Sequence, residues 1–162
     1  MRSFLILLLA SISFQQITAQ RLNDPKPESG RASCVFGEFG GNGLVFSANY
    51  DTRFKQSQSG PGGRIGIGFF GGDGGGIVTF PIGLNFLNGR NGNYFETGLG
   101  ITIVTITGSD FGGITGSVIV PSVGYRYQSM TEGFTGRVAI TPLIGTSGGF
   151  AFWAGISAGY KF

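Results

Sequence analysis

From Cys34 to the end of the chain, apolar residues recur at every second position. In the last run, Phe150, Phe152, Ala154, Ile156, Ala158, Tyr160 and Phe162 share one phase, and Ala151, Trp153, Gly155, Ser157, Gly159 and Lys161 share the other. The same split recurs upstream. Val123, Tyr125 and Tyr127 oppose Ser122, Gly124, Arg126 and Gln128, and Phe95, Leu99, Ile101 and Ile103 oppose Glu96, Gly98, Gly100 and Thr102. Val138 and Ile140 oppose Arg137 and Ala139; Phe80, Ile82, Leu84 and Phe86 oppose Thr79, Gly83 and Asn85; Ile65, Ile67 and Phe69 oppose Arg64, Gly66 and Gly68. Leu44, Phe46, Ala48 and Tyr50 oppose Ser47, Asn49 and Asp51, while Val35 and Phe39 stand against Glu38 in a weaker first run. A period of two belongs to a strand with unlike faces, and Gly or Pro interrupts nearly every helix-length window.

Clusters of turn-formers separate the runs, at Gly40–Gly43, 55–62, 71–76, 88–93, 108–113, 129–133 and 145–149. They predict strands at 34–40, 44–54, 63–71, 77–88, 94–107, 115–128, 134–146 and 150–162. Short strands at this spacing mean an all-β barrel or sandwich. The count reaches eight if Gly41-Asn42-Gly43 turns the chain; if 36–54 is one strand, seven remain.

Charge decides which face is buried. Only 12% of residues are charged, where soluble chains carry about 25%. The small-residue face holds about one ionisable group per strand: Glu38, Asp51, Arg64, Glu96, Arg126, Arg137 and Lys161. A soluble strand turns a face dense in charge to water, whereas a membrane barrel turns its bulky apolar face to lipid and encloses small and polar groups. The expected fold is therefore a closed antiparallel up-and-down transmembrane β-barrel with the seven ionisable residues pairing inside. The alternative is a secreted soluble barrel holding a hydrophobic ligand, with Phe152, Ile156 and Tyr160 pointing inward and Glu96, Arg126, Arg137 and Lys161 outward. Glycine fits the first arrangement: 32 residues are Gly, and Gly66, Gly68, Gly83, Gly98, Gly100, Gly124, Gly155 and Gly159 fall on the face that a narrow barrel must fill with small groups.

The start of the chain has a different pattern. Arg2, an apolar stretch from Phe4 to Ala10 and a polar segment ending Ile17-Thr18-Ala19 have the layout of a signal peptide, residues 1–19, cleaved between Ala19 and Gln20. The apolar run is far shorter than the ~20 residues of a spanning helix. Residues 20–33, with two prolines and little that is apolar, read as a flexible periplasmic leader to a barrel domain over 34–162.

The final strand, Ile156-Ser157-Ala158-Gly159-Tyr160-Lys161-Phe162, resembles the C-terminal strand of bacterial outer-membrane β-barrels. Gly40–Phe54 and Gly124-Tyr125-Arg126-Tyr127 are similar to segments of small barrel proteins of Gram-negative bacteria. The resemblance implies a cell outer-membrane location, lipid as the surrounding partner, and recognition of Ile156, Ala158, Tyr160 and Phe162 by the barrel-assembly machinery. It implies both termini in the periplasm, so that 41–43, 72–76, 108–114 and 145–149 become external loops. Those loops are no longer than the periplasmic turns, which argues against a loop-mediated adhesin or receptor.

Catalytic vocabulary is scarce. Without His there is no Ser/His/Asp triad or His-ligated zinc, and one cysteine, Cys34, supports neither an internal disulfide nor a thiolate metal site. Gly66-Ile67-Gly68-Phe69-Phe70-Gly71 matches a dinucleotide fingerprint, but Gly72-Asp73-Gly74 follows where a helix is required. Gly145-Thr146-Ser147-Gly148-Gly149 matches a nucleophile elbow that has no base. A net charge of +3 without a basic run does not support nucleic-acid binding. No cofactor is expected. The sequence thus predicts a monomeric barrel with a structural or small-ligand-binding role and a side-chain-filled interior. A third reading, a lipid-processing barrel enzyme, would have to work through Glu96 or Asp51 with hydroxyl groups.

Overall fold

A computed structural model describes residues 30–72, 75–108 and 113–162. The expected signal peptide, its Ala19–Gln20 cleavage point and most of the leader lie outside the described residues. The strands are β1 (Ser33–Gly40), β2 (Phe46–Arg53), β3 (Gly60–Gly72), β4 (Gly75–Arg90), β5 (Asn93–Gly108), β6 (Ile114–Gln128), β7 (Gly133–Ile140), β8 (Leu143–Gly145), β9 (Phe150–Ala151) and β10 (Ala154–Lys161). Every pairing is antiparallel, and β1 closes on β10 as β5 does on β6. β7 with β8, and β9 with β10, each make one stave, so the barrel has eight.

The paired breaks in the last two staves have a chemical cause. β6 pairs with β7 up to Val123–Ile140 and with β8 from Ile119–Ile144, leaving out the stretch around Pro121 and Pro142. Neither proline has an N–H for the ladder. The β3–β4 ladder is likewise interrupted between Ile65–Ile82 and Gly68–Thr79, beside Pro81. The sequence expectation of unbroken strands over 134–146 and 150–162 is corrected accordingly. β3 also starts earlier than expected, at Gly60, and Asn91-Gly92 (φ 57° and 80°) joins β4 to β5 as a two-residue hairpin turn.

Register measures the closure. Tyr160 faces Val35, then Tyr50, Ile65, Ile82, Ile101, Ile119 and Ile144, and the path returns to the eighth stave at Phe150, ten residues from its start. That stagger tilts the strands by roughly 40° and leaves an interior just wide enough for side chains to fill. Every residue on this path is exposed on the outside of the barrel. The rest of the outer surface matches it: Leu84, Leu99, Phe134 and Ile156 are each 58–64% exposed. The soluble alternative required these rings and branched chains to point inward, and they point outward.

Glycine on the inner face sets how closely the staves approach one another. A Cβ on Gly124 would meet Ala139, and one on Gly159 would meet Phe36. On the outer face, Gly37 has open space around it.

Candidate functional site

The lumen is built from the inward phase of every stave. Glu38 comes from β1, Asp51 and Arg53 from β2, Arg64 from β3, Asn85 from β4, Glu96 from β5, Arg126 from β6 and Arg137 from β7. Closure brings them into one hub, with every ion-paired side chain no more than 3% exposed. A charge in so enclosed a space is tolerable only when paired.

Asp51 is the most heavily engaged acid. Its Oδ1 accepts from Arg53 Nη2 at 2.5 Å and Arg126 Nη1 at 3.0 Å, and its Oδ2 accepts from the Asn85 amide and lies 3.9 Å from Arg64 Nε. Glu96 accepts from Arg126 Nε at 2.8 Å and Arg64 Nη2 at 3.2 Å, and its Oε1 lies 3.2 Å from Arg137 Nε as an ion pair. Glu38 takes Arg137 Nη1 at 2.6 Å and Arg64 Nη1 at 3.5 Å. The Arg64 guanidinium also lies 4.9 Å from the Phe36 ring centre, a cation–π contact. Arg64, Arg126 and Arg137 each bridge carboxylates from different strands, so the hub links six of the eight staves by charge and a seventh through Asn85.

Of the seven ionisable residues expected inside, six meet in this hub. Lys161 is buried too, but its ammonium donates to the carbonyls of Met130 (3.4 Å) and Thr131 (2.8 Å) at the end where the termini lie. The sequence reading missed Arg53, which donates to Asp51, to Asn85 Oδ1 at 2.6 Å and to the Gly60 carbonyl at 2.9 Å. Its signal was present: Arg53 shares the inward phase of Asp51, two residues earlier.

Both ends of the lumen are closed by chain. At the terminal end Gln128 donates to Gln58 at 3.3 Å, and Cys34 donates weakly to Gln128 Oε1 at 3.6 Å. At the far end a single 3-10 turn, Gly41–Gly43, folds into the mouth with all three residues buried. Thr102 donates to the Asn42 carbonyl at 2.6 Å and Thr79 to the Gly43 carbonyl at 2.9 Å. The expected external loop 41–43 is therefore a stopper. Gly40 and Gly41 (φ 72° and 62°) supply the left-handed backbone it needs.

The C-terminal strand residues expected to signal assembly, Ile156, Ala158, Tyr160 and Phe162, all lie exposed on the outer face. Phe162 and Ser33 exchange backbone hydrogen bonds, Phe162 donating at 2.9 Å and Ser33 at 3.3 Å, which makes the last residue part of the closing seam.

No family model matches this chain, and no curated protein matches it. Among solved structures it is similar to the crystal structure of the N-terminal β-barrel domain of Pseudomonas aeruginosa OprF, with a TM-score of 0.53 and 15% identity over 85% of this chain and 100% of that one. At that identity the likeness concerns the fold: this chain is a closed, eight-stranded, all-antiparallel barrel of the outer-membrane type.

Proposed function

We propose that this chain is an integral protein of the Gram-negative outer membrane, monomeric and non-enzymatic, whose barrel is a sealed structural element. The observation that carries the reading is the division of chemistry between its two faces: rings and branched chains cover the outside, and the hub of carboxylates and guanidiniums is locked inside. Lipid is then its surrounding partner. The barrel-assembly machinery would recognise it through Ile156, Ala158, Tyr160 and Phe162 after the segment 1–19 is removed at Ala19–Gln20.

Two further points support the role. Asp51 and Glu96, the acids an enzyme reading would use, are each tied to several guanidiniums and are 1% exposed, which leaves no approach for a substrate. The stopper at Gly41–Gly43 and the hub below it oppose ion flow, and eight staves leave no porin-sized lumen in any case.

The experiment is fractionation followed by reconstitution. The expected result is a heat-modifiable protein that resists alkaline extraction from outer membranes and gives no stepwise current in planar bilayers. Recovery in the soluble periplasmic fraction would refute the membrane placement, and regular unitary currents would refute the sealed interior.

A further inference from the structure

The rim at the far end reverses the polarity of the lumen. In the lower barrel the inward phase of β3 to β6 carries Arg64, Asn85, Glu96, Ser122 and Arg126. Beyond the Gly41–Gly43 stopper the same phase carries Phe70, Ile77, Ile106 and Ile114, which face one another in register across all four strands. Phe70, Ile106 and Ile114 are 57%, 41% and 55% exposed, and Val104 and Val118 beneath them are half-buried. On the outer side of this upper wall the residues turn polar: Thr105 and Thr115 share a hydroxyl contact at 3.3 Å, as do Ser117 and Thr146 at 3.1 Å. The upper wall is therefore greasy inside and, on β5 and β6, polar outside, while Phe69 and Val78 keep the β3–β4 side apolar on its outer face as well.

Among the described residues this cup is open. A Cβ on Gly116, in the inward phase of β6, would meet no described residue within 4 Å, whereas Cβ atoms on Gly98 and Gly124 lower in the barrel would meet Ser122 and Ala139.

The cup also opens to one side. β2 pairs with β3 only as far as Ser47–Gly68, while β3 continues to Gly72, where it still pairs with β4 at Gly75. A crevice of about 30 Å³ lies in this notch, between Phe46 and Phe69 of the outer face and Phe70, Ile77 and Thr79 of the inner one. β1 and β2 have 8 residues each. At about 3.3 Å per residue and a tilt of roughly 40°, such strands cover about 20 Å of the membrane normal, less than the ~25 Å apolar band of the class. β3 to β6, with 13–16 residues, stand well above them. The low side of the rim thus lies at the depth of the acyl chains, and outer-face apolar surface runs through the notch into the cup without a polar barrier.

We propose that the cup is an acyl-chain site: one hydrocarbon chain of a membrane lipid bends over the short β1–β2 wall, passes between Phe46 and Phe69, and lies along Phe70, Ile77, Ile106 and Ile114. The proposal rests on the membrane placement above. Its physical basis is that apolar wall standing beyond the hydrocarbon layer otherwise meets water, and a neighbouring chain is the nearest apolar cover.

The protein carries its own probe. Trp153, its single tryptophan, is in the inward phase of the eighth stave, and its indole N–H donates at 3.0 Å to the carbonyl of Leu44, which also lines the notch. The full mature chain is folded into phosphatidylcholine vesicles with or without bromine on the acyl chains, and Trp153 emission is compared. Brominated chains are expected to reduce emission by at least half. Gly116→Phe, which fills the open space, and Ile106→Asp, which charges the wall, are expected to restore most of it in barrels that remain heat-modifiable. Should Ile106→Asp fail to fold, Gly116→Phe still decides. Equal quenching in wild type and folded variants would mean that Trp153 meets only bulk lipid, and would overturn the proposal; absence of quenching in wild type would do the same. A two-barrel mass with cross-links between cup residues would give the cup to a second copy instead. A chain that does not float with vesicles defeats the membrane placement itself, whereas insertion without quenching defeats the cup alone.

Discussion

Replacing Asp51 by Asn tests the hub through its charge balance. Four guanidiniums, of Arg53, Arg64, Arg126 and Arg137, meet three carboxylates, of Glu38, Asp51 and Glu96. The hub therefore has one excess positive charge, and Asp51→Asn raises that excess to two while keeping the side-chain shape. Arg53 and Arg126, at 2.5 and 3.0 Å, lose the anion they converge on. At an effective dielectric constant of about 20 each such contact has a gross Coulomb energy of roughly 5–7 kcal/mol, most of it offset by desolvation. Breaking a buried pair by removing one partner has a net cost of about 3–5 kcal/mol. Arg53→Met moves the balance the other way, to three against three. It loses the Asp51, Gly60 and Asn85 contacts, but Asp51 keeps Arg126 and Arg64, so no carboxylate is left unpaired and the cost is about 1–3 kcal/mol. The two variants thus separate charge from packing, because Arg53 is the larger side chain and yet should be the cheaper one to replace. Urea unfolding of the barrel in short-chain lipid vesicles, followed by gel mobility of unboiled samples, supplies the comparison. Asp51→Asn costing no more than Arg53→Met would refute the idea that paired charge staples the staves.

Other substitutions probe the seam and the small-residue face. Gly159→Leu is expected to block barrel closure, since its side chain would run into Phe36, and to abolish the heat-modifiable band; Gly37→Leu on the outer face of the neighbouring strand should leave that band intact. Deletion of Phe162 removes the hydrogen-bond exchange with Ser33 and a ring 6.4 Å from that of Tyr50, and should lower the amount of folded protein in outer membranes several-fold. Undiminished levels of folded truncated protein would remove Phe162 from the assembly signal.

Much of this architecture is legible in the sequence because alternation is a local property. The unlike phases of Phe95–Ile103 and Ile156–Phe162 assign the outer face, and the lone charges on the opposite phase identify the hub residues strand by strand. What stays hidden depends on closure. Asp51 meets Arg126, 75 residues away, only because the stagger places β2 and β6 across the lumen from each other. Arg53 ends its run beside a turn, so its place in the hub shows only once the barrel closes, although its phase is that of Asp51. The Gly41–Gly43 stopper has the composition of an ordinary loop, and nothing in Gly-Asn-Gly says that it folds inward. The greasy rim is hidden for a subtler reason. The phase at Phe70, Ile106 and Ile114 continues unbroken from the lumen, but the surroundings change once the strands outgrow their shorter neighbours.

The central claim is that lipid covers the outside and charge fills the inside. Nitroxide labels placed one at a time along Phe95–Ile103, on a chain with Cys34 replaced by Ser, test it strand-wise in reconstituted vesicles. Labels at 95, 97, 99, 101 and 103 should collide readily with oxygen dissolved in the hydrocarbon, and a single unlabelled cysteine at the inward position 102 should stay unreactive toward a water-soluble maleimide in the folded barrel. Maleimide reaching position 102 while labels at the odd positions are immobile and shielded from oxygen would contradict the account.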